Sequence, residues 1–364
     1  MPRLPPSLLR RARSISTHLA TLLPVCRDLN AAQNELRWIR EHVSNLRSSA
    51  PSRSTRASAI DEQLLLKRLC QKRGKGAPLQ YVLGTQPFGD LEIKCRPGVL
   101  IPRPETEAWV ARLADVVRRD GIADGVHHGG EMSGLRIWDL CTGTGCIALL
   151  LSSLLRRRFP GLDVRGFDVE PRAVALAREN LRFNAQQGVL SAVGQNVEFE
   201  EVDIFSEGFL SSFLTSVEAQ DVSKSRVDVL VSNPPYISAR GFNRDTERSV
   251  RNYEPKLALV PQQDASLSSF PDARPEDVFY ARLLEIAKVL QPRFMVFEVG
   301  DLKQGLRVVQ LARSRFNDLT IEIWRDWPDM TPAEDEPESI QVNDIIVPIR
   351  GSGNGRAVFI RQTI

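Results

Sequence analysis

Two short stretches carry the residue types best suited to chemistry. The first reads Asp139-Leu140-Cys141-Thr142-Gly143-Thr144-Gly145-Cys146-Ile147-Ala148. Gly143 and Gly145 permit a tight turn and close backbone approach, and a helix that follows aims free N–H groups at whatever lies in front of it. A nucleotide-like ligand suits such a turn. Asp168 stands near the separation at which a carboxylate holds a ribose hydroxyl in the G-x-G-x-x-A dinucleotide pattern, so a NAD site has to be weighed. The second stretch is Val227-Asp228-Val229-Leu230-Val231-Ser232-Asn233-Pro234-Pro235-Tyr236. Two successive prolines donate no hydrogen bonds and keep the chain extended, which frees the Asn233 side chain and the Pro234 carbonyl to face a pocket as fixed acceptors. A planar amino group with two N–H donors fits that pair, and Tyr236 supplies a flat aromatic wall.

The elements that must position these turns follow from periodicity. From residue 135 strands and helices alternate, which predicts an open α/β sheet. Strands are expected at 135–140, 163–168, 196–202, 227–232, 293–299, 319–325 and 356–361, roughly seven in all. Helices are expected to about Arg158 and over 170–187, 276–290 and 302–315. Ligands in such sheets lie beyond the carboxyl ends of the strands, so chemistry belongs to the turns after Leu140, Phe167, Val202 and Ser232.

Ahead of the sheet, Ala32, Leu36, Ile39 and Val43 recur at helical spacing over 29–43. Ser48–Ser58 reads as a Ser/Arg-rich surface linker, and a second helix spans Ile60–Arg73 before Gly74 and Gly76. Short runs from Leu79 to Pro104 suggest a hairpin linker, and prolines then fix the entry into a helix near 105–119.

Composition excludes several classes. With 364 residues, 42% hydrophobic and 26% charged, the chain is globular and long enough for two domains. Its longest nearly apolar run, Ile147 to Leu155, falls short of the roughly 18 residues of a membrane span. Residues 1–60 hold ten arginines against three acids, a surplus of seven, which leaves 38 basic and 42 acidic residues beyond them. A slightly acidic body argues against a clamp for nucleic acid backbone. Five cysteines without CxxC spacing indicate neither a disulfide framework nor zinc, and His127 and His128 have no third ligand in view. No G-x-S-x-G elbow or HExxH helix occurs. Residues 1–27, rich in Arg, Ser and Thr and without an acid, have the composition of a mitochondrial transit segment, and equally of a basic first helix.

The two turns occur together with other segments: LQYVLGTQPFGDLEIKCRPGVLIPRPETE (79–107), FDVEPRAVALARENL (167–181), VDIFS (202–206), YEPKLALV (253–260) and FEVGDLKQG (297–305). In this combination the chain resembles the HemK/PrmC family of protein-(glutamine-N5) methyltransferases, which modify the GGQ glutamine of peptide-chain release factors. Asn-Pro-Pro-Tyr alone is shared with DNA and RNA amino-methyltransferases, so an N6-adenine or other nucleic acid methyltransferase is the alternative, and a non-catalytic scaffold or NAD enzyme the third class.

The resemblance implies a class I S-adenosylmethionine-dependent methyltransferase fold, Rossmann-like with a seven-stranded sheet. Its expected layout is a helical N-terminal domain over 28–78, a β-hairpin linker over 79–104 and the methyltransferase domain over 105–364. It also implies S-adenosyl-L-methionine as cofactor. Asp139, Cys141, Thr142, Gly143, Thr144, Gly145, Asp168, Asp203, Ile204 and Asn233 would border that cofactor. Asn233, Pro234, Pro235 and Tyr236 would grip the glutamine amide and carry catalysis. The implied partner is a release factor, with no membrane, no metal and no nucleic acid bound by the main domain. With the presequence-like front, the implied site of action is the mitochondrial matrix, the cytoplasm second. Two departures from the family pattern stand out. Cys141 replaces a usual Gly, at a position where ordinary negative φ is expected to serve, and Pro261–Pro275 is longer than the family's connection.

Overall fold

The computed structural model describes residues 3–48, 55–120, 134–190, 196–211, 227–262, 270, 273–342 and 345–362. His127 and His128, residues 49–54 of the expected linker and most of 261–275 lie outside them. The chain divides into two compact units: Met1–Gln86 with Cys95–Pro97 and Thr246–Glu254, and Pro87–Lys94 with Gly98–Asp245 and Pro255–Ile364.

The first unit is helical. It contains α1 (Pro6–Ile15), α2 (Thr17–Cys26), α3 (Leu29–Ser48), α4 (Thr55–Gly74), α5 (Leu79–Leu83) and the short helix Arg248–Tyr253. Ser16 caps α2 by accepting from the His18 N–H, and Arg27 ends it in left-handed backbone at φ 65°. The heptad-like apolar face of α3 is buried through Leu29, Ala32, Leu36, Ile39 and Val43. The Arg73 guanidinium of α4 grips the Glu35 carboxylate of α3 with two bonds of 2.6 and 2.8 Å. Such a bidentate pair fixes one helix against the other. Two expectations change here. Thr55–Ser58, expected in the linker, begins α4, and Leu79–Leu83 is a single helical turn closed by Gly84 at φ 83° rather than an extended run.

Residues 6–26 are integral to this unit. Ala12, Leu19, Leu22 and Leu23 are fully buried in one cluster with Ile39, Cys70 and Val82. Any targeting role of the first 27 residues therefore falls on side chains that also build a core. Burying one leucine contributes about 1.5–3 kcal/mol, and a small helical unit has only a few kcal/mol to lose. A variant starting at Asp28 is expected to lose the protease protection of α3 and α4. Wild-type protection of those helices in limited proteolysis would show that α1 and α2 are dispensable to the core.

The second unit is a nine-stranded mixed sheet with helices. Following the two-stranded hairpin of β1 (Thr85–Phe88) and β2 (Leu91–Lys94), the sheet strands are β3 (Arg136–Leu140), β4 (Asp163–Asp168), β5 (Asn196–Glu201), β6 (Val229–Ser232), β7 (Phe294–Glu298), β8 (Leu319–Trp327), β9 (Ser339–Val342), β10 (Ile345–Arg350) and β11 (Ser352–Gln362). They lie in the order β5-β4-β3-β6-β7-β11-β8-β10-β9. The first five are parallel, and β11 runs antiparallel between β7 and β8. The seven expected strands thus form one continuous sheet, and β9 and β10 extend it. That pair escaped the sequence reading because Pro348 interrupts the strand signal and an acidic, proline-containing stretch leads into it. The alternation of buried Val347 and Ile349 was the available clue.

Among the described residues, the helices of this unit include α6 (Pro104–Arg119), α7 (Cys146–Leu155), α8 (Pro171–Gln186), α9 (Val278–Leu290) and α10 (Leu302–Arg313), with the short helix Ala239–Arg244 between β6 and α9. α6 starts on Pro104, carries Glu105 and Glu107 in its first turn and Arg118 and Arg119 in its last, matching the helix dipole at both ends. Its buried face is Trp109, Val110, Leu113, Ala114 and Val117.

Candidate active site

Chain order reverses at β3, whose parallel neighbours are β4 on one side and β6 on the other. The turns that follow these strands must diverge there, opening a crevice at the carboxyl ends. A cleft occupies that place. Its walls include Cys141–Thr144 after β3, Asp168–Glu170 after β4, Val202–Phe205 after β5, and Asn233 with Pro235 after β6.

The β3 turn is built for close approach. Gly143 has φ 55° and Gly145 φ 79°, both in the left-handed region that favours glycine. Gly145 N–H donates to the Thr142 carbonyl at 2.9 Å, closing the turn at the start of α7. Cys141 corrects an expectation: its φ is 63°, not negative. An L-residue with a Cβ costs about 1–2 kcal/mol in that conformation, which is why glycine suits the position better. Burial pushes the Cys141 thiol up, with the nearby Asp168 charge adding to it, so the thiol is a neutral wall rather than a nucleophile.

Asp168 stands across from this turn. Its Oδ2 accepts from the Gly143 N–H at 2.8 Å and its Oδ1 from the Glu170 N–H at 2.9 Å. Burial raises its pKa, and these backbone donors oppose the rise. A carboxylate oxygen can accept more than one hydrogen bond, so Asp168, on the cleft wall, has capacity for a diol. Asp203 also lines the cleft, its Oδ1 accepting from the Phe205 N–H at 2.9 Å, beside buried Ile204. Two carboxylates held by backbone donors, a glycine turn and an apolar slot at Ile204 and Phe279 together fit a nucleoside-bearing ligand.

The β6 turn places Asn233 on the cleft wall, where its side chain makes no hydrogen bond to another described residue. Ser232 anchors the turn from beneath by donating to the Leu140 carbonyl at 2.6 Å. Beyond the prolines, Ile237 N–H donates to the Leu259 carbonyl at 2.8 Å, tying the turn to the Pro255–Ala258 segment that also lines the cleft.

Four expected site residues do not line the cleft. Asp139 is fully buried: its Oδ2 accepts from the Thr142 hydroxyl at 2.6 Å and the Ala148 N–H at 3.3 Å, while Oδ1 has no partner among the described residues. Desolvation lifts its pKa to about 7. It braces the turn from below rather than touching what the turn holds. Gly145 faces inward, since a Cβ there would meet Ala177 and Phe199 at 2.9 Å. Pro234 is buried outside the cleft lining, and Tyr236 leans away, its hydroxyl donating to Glu298 at 3.3 Å.

The structure also recruits residues to which no role was given, chiefly Gly98–Arg103, Thr106, Pro255, Leu257, Ala258 and Phe279. Ile101–Thr106 was visible as the Ile-Pro-Arg-Pro-Glu-Thr motif. Phe279, one aromatic in an ordinary helix pattern, gave no signal.

No family model matches the chain. Over 268 residues it is 36% identical to the mitochondrial MRF1 N(5)-glutamine methyltransferase MTQ1 of Saccharomyces cerevisiae, covering 74% of this chain and 71% of that one. It is 32% identical over 302 residues to the Schizosaccharomyces pombe protein named "Probable MRF1 mitochondrial N(5)-glutamine methyltransferase mtq1", covering 82% and 85%. The release factor glutamine methyltransferase of Bacillus subtilis is 31% identical over 268 residues, covering 73% and 77%. Among solved structures, the delta-N METTL16 MTase domain overlaps with a TM-score of 0.41 at 14% identity, covering 79% of this chain and 95% of that one. That likeness adds nothing to the topology already described.

Proposed function

Because this chain belongs to the family of release factor N(5)-glutamine methyltransferases, we propose that it methylates the glutamine side chain in the GGQ loop of a mitochondrial release factor, with Asn233 holding the amide. It is an S-adenosyl-L-methionine-dependent transferase. One observation carries the reading of the site: Asn233 lines the same cleft as the Gly143 turn and Asp168.

When bound, S-adenosyl-L-methionine would supply an electrophilic methyl group: N–CH3 would form as S–CH3 breaks, leaving the thioether S-adenosyl-L-homocysteine, and one N–H proton would pass to water. The protein's task is positioning. Asp168, Asp203 and the Cys141–Thr144 turn would hold the cofactor's nucleoside and amino acid ends. Asn233 Oδ1 would accept one amide N–H, an alignment that turns the nitrogen lone pair toward the methyl group and concentrates density on it. A side-chain base is not required. We place this activity in the mitochondrial matrix, in line with the basic, acid-free front of the chain.

The test is transfer of labelled methyl from S-adenosyl-L-methionine, with a GGQ release factor and with nucleic acid as competing acceptors. Label is expected on the release factor glutamine; label on nucleic acid alone would overturn the reading.

A further inference from the structure

The FEVGDLKQG stretch (297–305) leads from the end of β7 into α10, outside both turns, yet three of its residues converge on Tyr236. The Glu298 carboxylate is buried, and its Oε1 accepts from the Tyr236 hydroxyl at 3.3 Å. Its Oε2 accepts from the Thr106 hydroxyl at 2.6 Å and the Trp109 indole N–H at 2.8 Å, both on α6. Gln304 Nε2 donates to the Tyr236 carbonyl at 3.2 Å, while its Oε1 accepts from the Gly300 N–H at 2.8 Å. A Cβ on Gly300 would come within 3.1 Å of the Tyr236 ring. Hydroxyl, ring and carbonyl of one tyrosine are each met by a different residue of this segment.

Packing alone does not call for an acid here. A buried carboxylate is costly, and apolar residues of similar size are often neutral or stabilising in its place. What the acid supplies is direction. Two α6 donors immobilise one oxygen, and the other is left to fix the phenol. Burial, reinforced by the Glu298 charge, pushes the phenol upward, so Tyr236 stays a proton donor. The Arg356 charge favours the ionised form of this carboxylate, and the Tyr280 hydroxyl donates to the Glu298 backbone carbonyl at 2.8 Å.

We propose that Glu298, Gly300 and Gln304 form the seat that orients Tyr236, and that Glu298 is a positioning residue for capture of the substrate amide. This rests on the reading that the Asn233–Tyr236 turn receives that amide. Tyr236 lies off the cleft lining, so the seat, anchored on Thr106 and Trp109 of α6, acts through the turn: by holding Tyr236 it fixes Asn233, three residues earlier, on the cleft wall.

The experiment is a double-mutant cycle on the full chain with E298Q, Y236F and the double variant. For each, kcat and KM for the release factor, cofactor Kd and Tm are measured. Each single variant is expected to lower kcat/KM about tenfold, mainly through KM, as loss of one charge-assisted hydrogen bond does. The double variant is expected to lose about tenfold as well, not a hundredfold, because both changes remove the same interaction. Cofactor Kd stays within about twofold. Multiplicative losses, or an E298Q loss matched by weaker cofactor binding or a larger unfolded fraction, overturn the proposal. G300A, which leaves the carboxylate in place, is expected to raise KM by displacing the ring; an unchanged KM rejects the seat. N233A in the same assay separates the two claims. A fully active N233A overturns the reading of the turn, whereas an inactive N233A with a multiplicative cycle overturns the seat alone.

Discussion

An Asn233→Ala variant is expected to bind S-adenosyl-L-methionine almost as well as the wild type while transferring methyl groups to a release factor at least about 100-fold more slowly. The asymmetry follows from where the side chain stands. Asn233 lies on the cleft wall at the end of β6, whereas the described contacts of Asp168 and Asp203 are with the β3 turn and the backbone around them. Removing the carboxamide leaves those contacts intact and deletes the acceptor that would orient the amide. An amide nitrogen is a poor nucleophile, so lost alignment registers in kcat. Single-turnover transfer with calorimetric cofactor titration measures both halves. Near-wild-type turnover would remove Asn233 from the assigned role.

Asp168→Ala is expected to do the converse, weakening cofactor binding by about 10- to 100-fold, the cost of one or two charge-assisted hydrogen bonds. Two effects add. The ribose loses its acceptors, and the Gly143 and Glu170 N–H groups lose the carboxylate that positions them. Asp168→Asn, which keeps one acceptor oxygen, should fall between the two. Because burial raises the Asp168 pKa, protonation begins at a higher pH than for a solvated aspartate. Wild-type affinity should therefore decline as pH is lowered, earlier than an ordinary aspartate would predict, and Asp168→Ala should flatten that decline. Calorimetric affinity unchanged by Asp168→Ala refutes the assignment.

Much of the cleft was legible because its chemistry is local. Positive φ at Gly143 and Gly145, and a turn that cannot donate at Pro234 and Pro235, are properties of a few adjacent residues. The alternation of strands and helices then places those turns at one edge of the sheet. The first unit was harder to bound. Residues 55–58 carry Ser, Thr and Arg, which suit a solvated helix end as well as a linker, and the apolar period that would distinguish them begins later. The first 27 residues have one composition and two readings, because basic amphipathic helices serve both import and packing. Burial of Leu19, Leu22 and Leu23 is a property of what they meet, not of the segment.

What the sequence by itself determined, then, is the set of turns, their order along the chain and the class of ligand they suit, since each depends on backbone freedom and side-chain type within about ten residues. Tertiary structure decided which way the side chains face. Asp139 lies three residues before Thr142 in a motif read as contacting the cofactor, yet the start of α7 draws its carboxylate underneath the turn. Tyr236 follows Asn233 closely, yet its hydroxyl goes to Glu298, which is also held from α6, 192 residues away in sequence. No spacing rule reaches that far. Only packing brings together groups so distant in the chain, and a buried carboxylate takes whichever donors surround it.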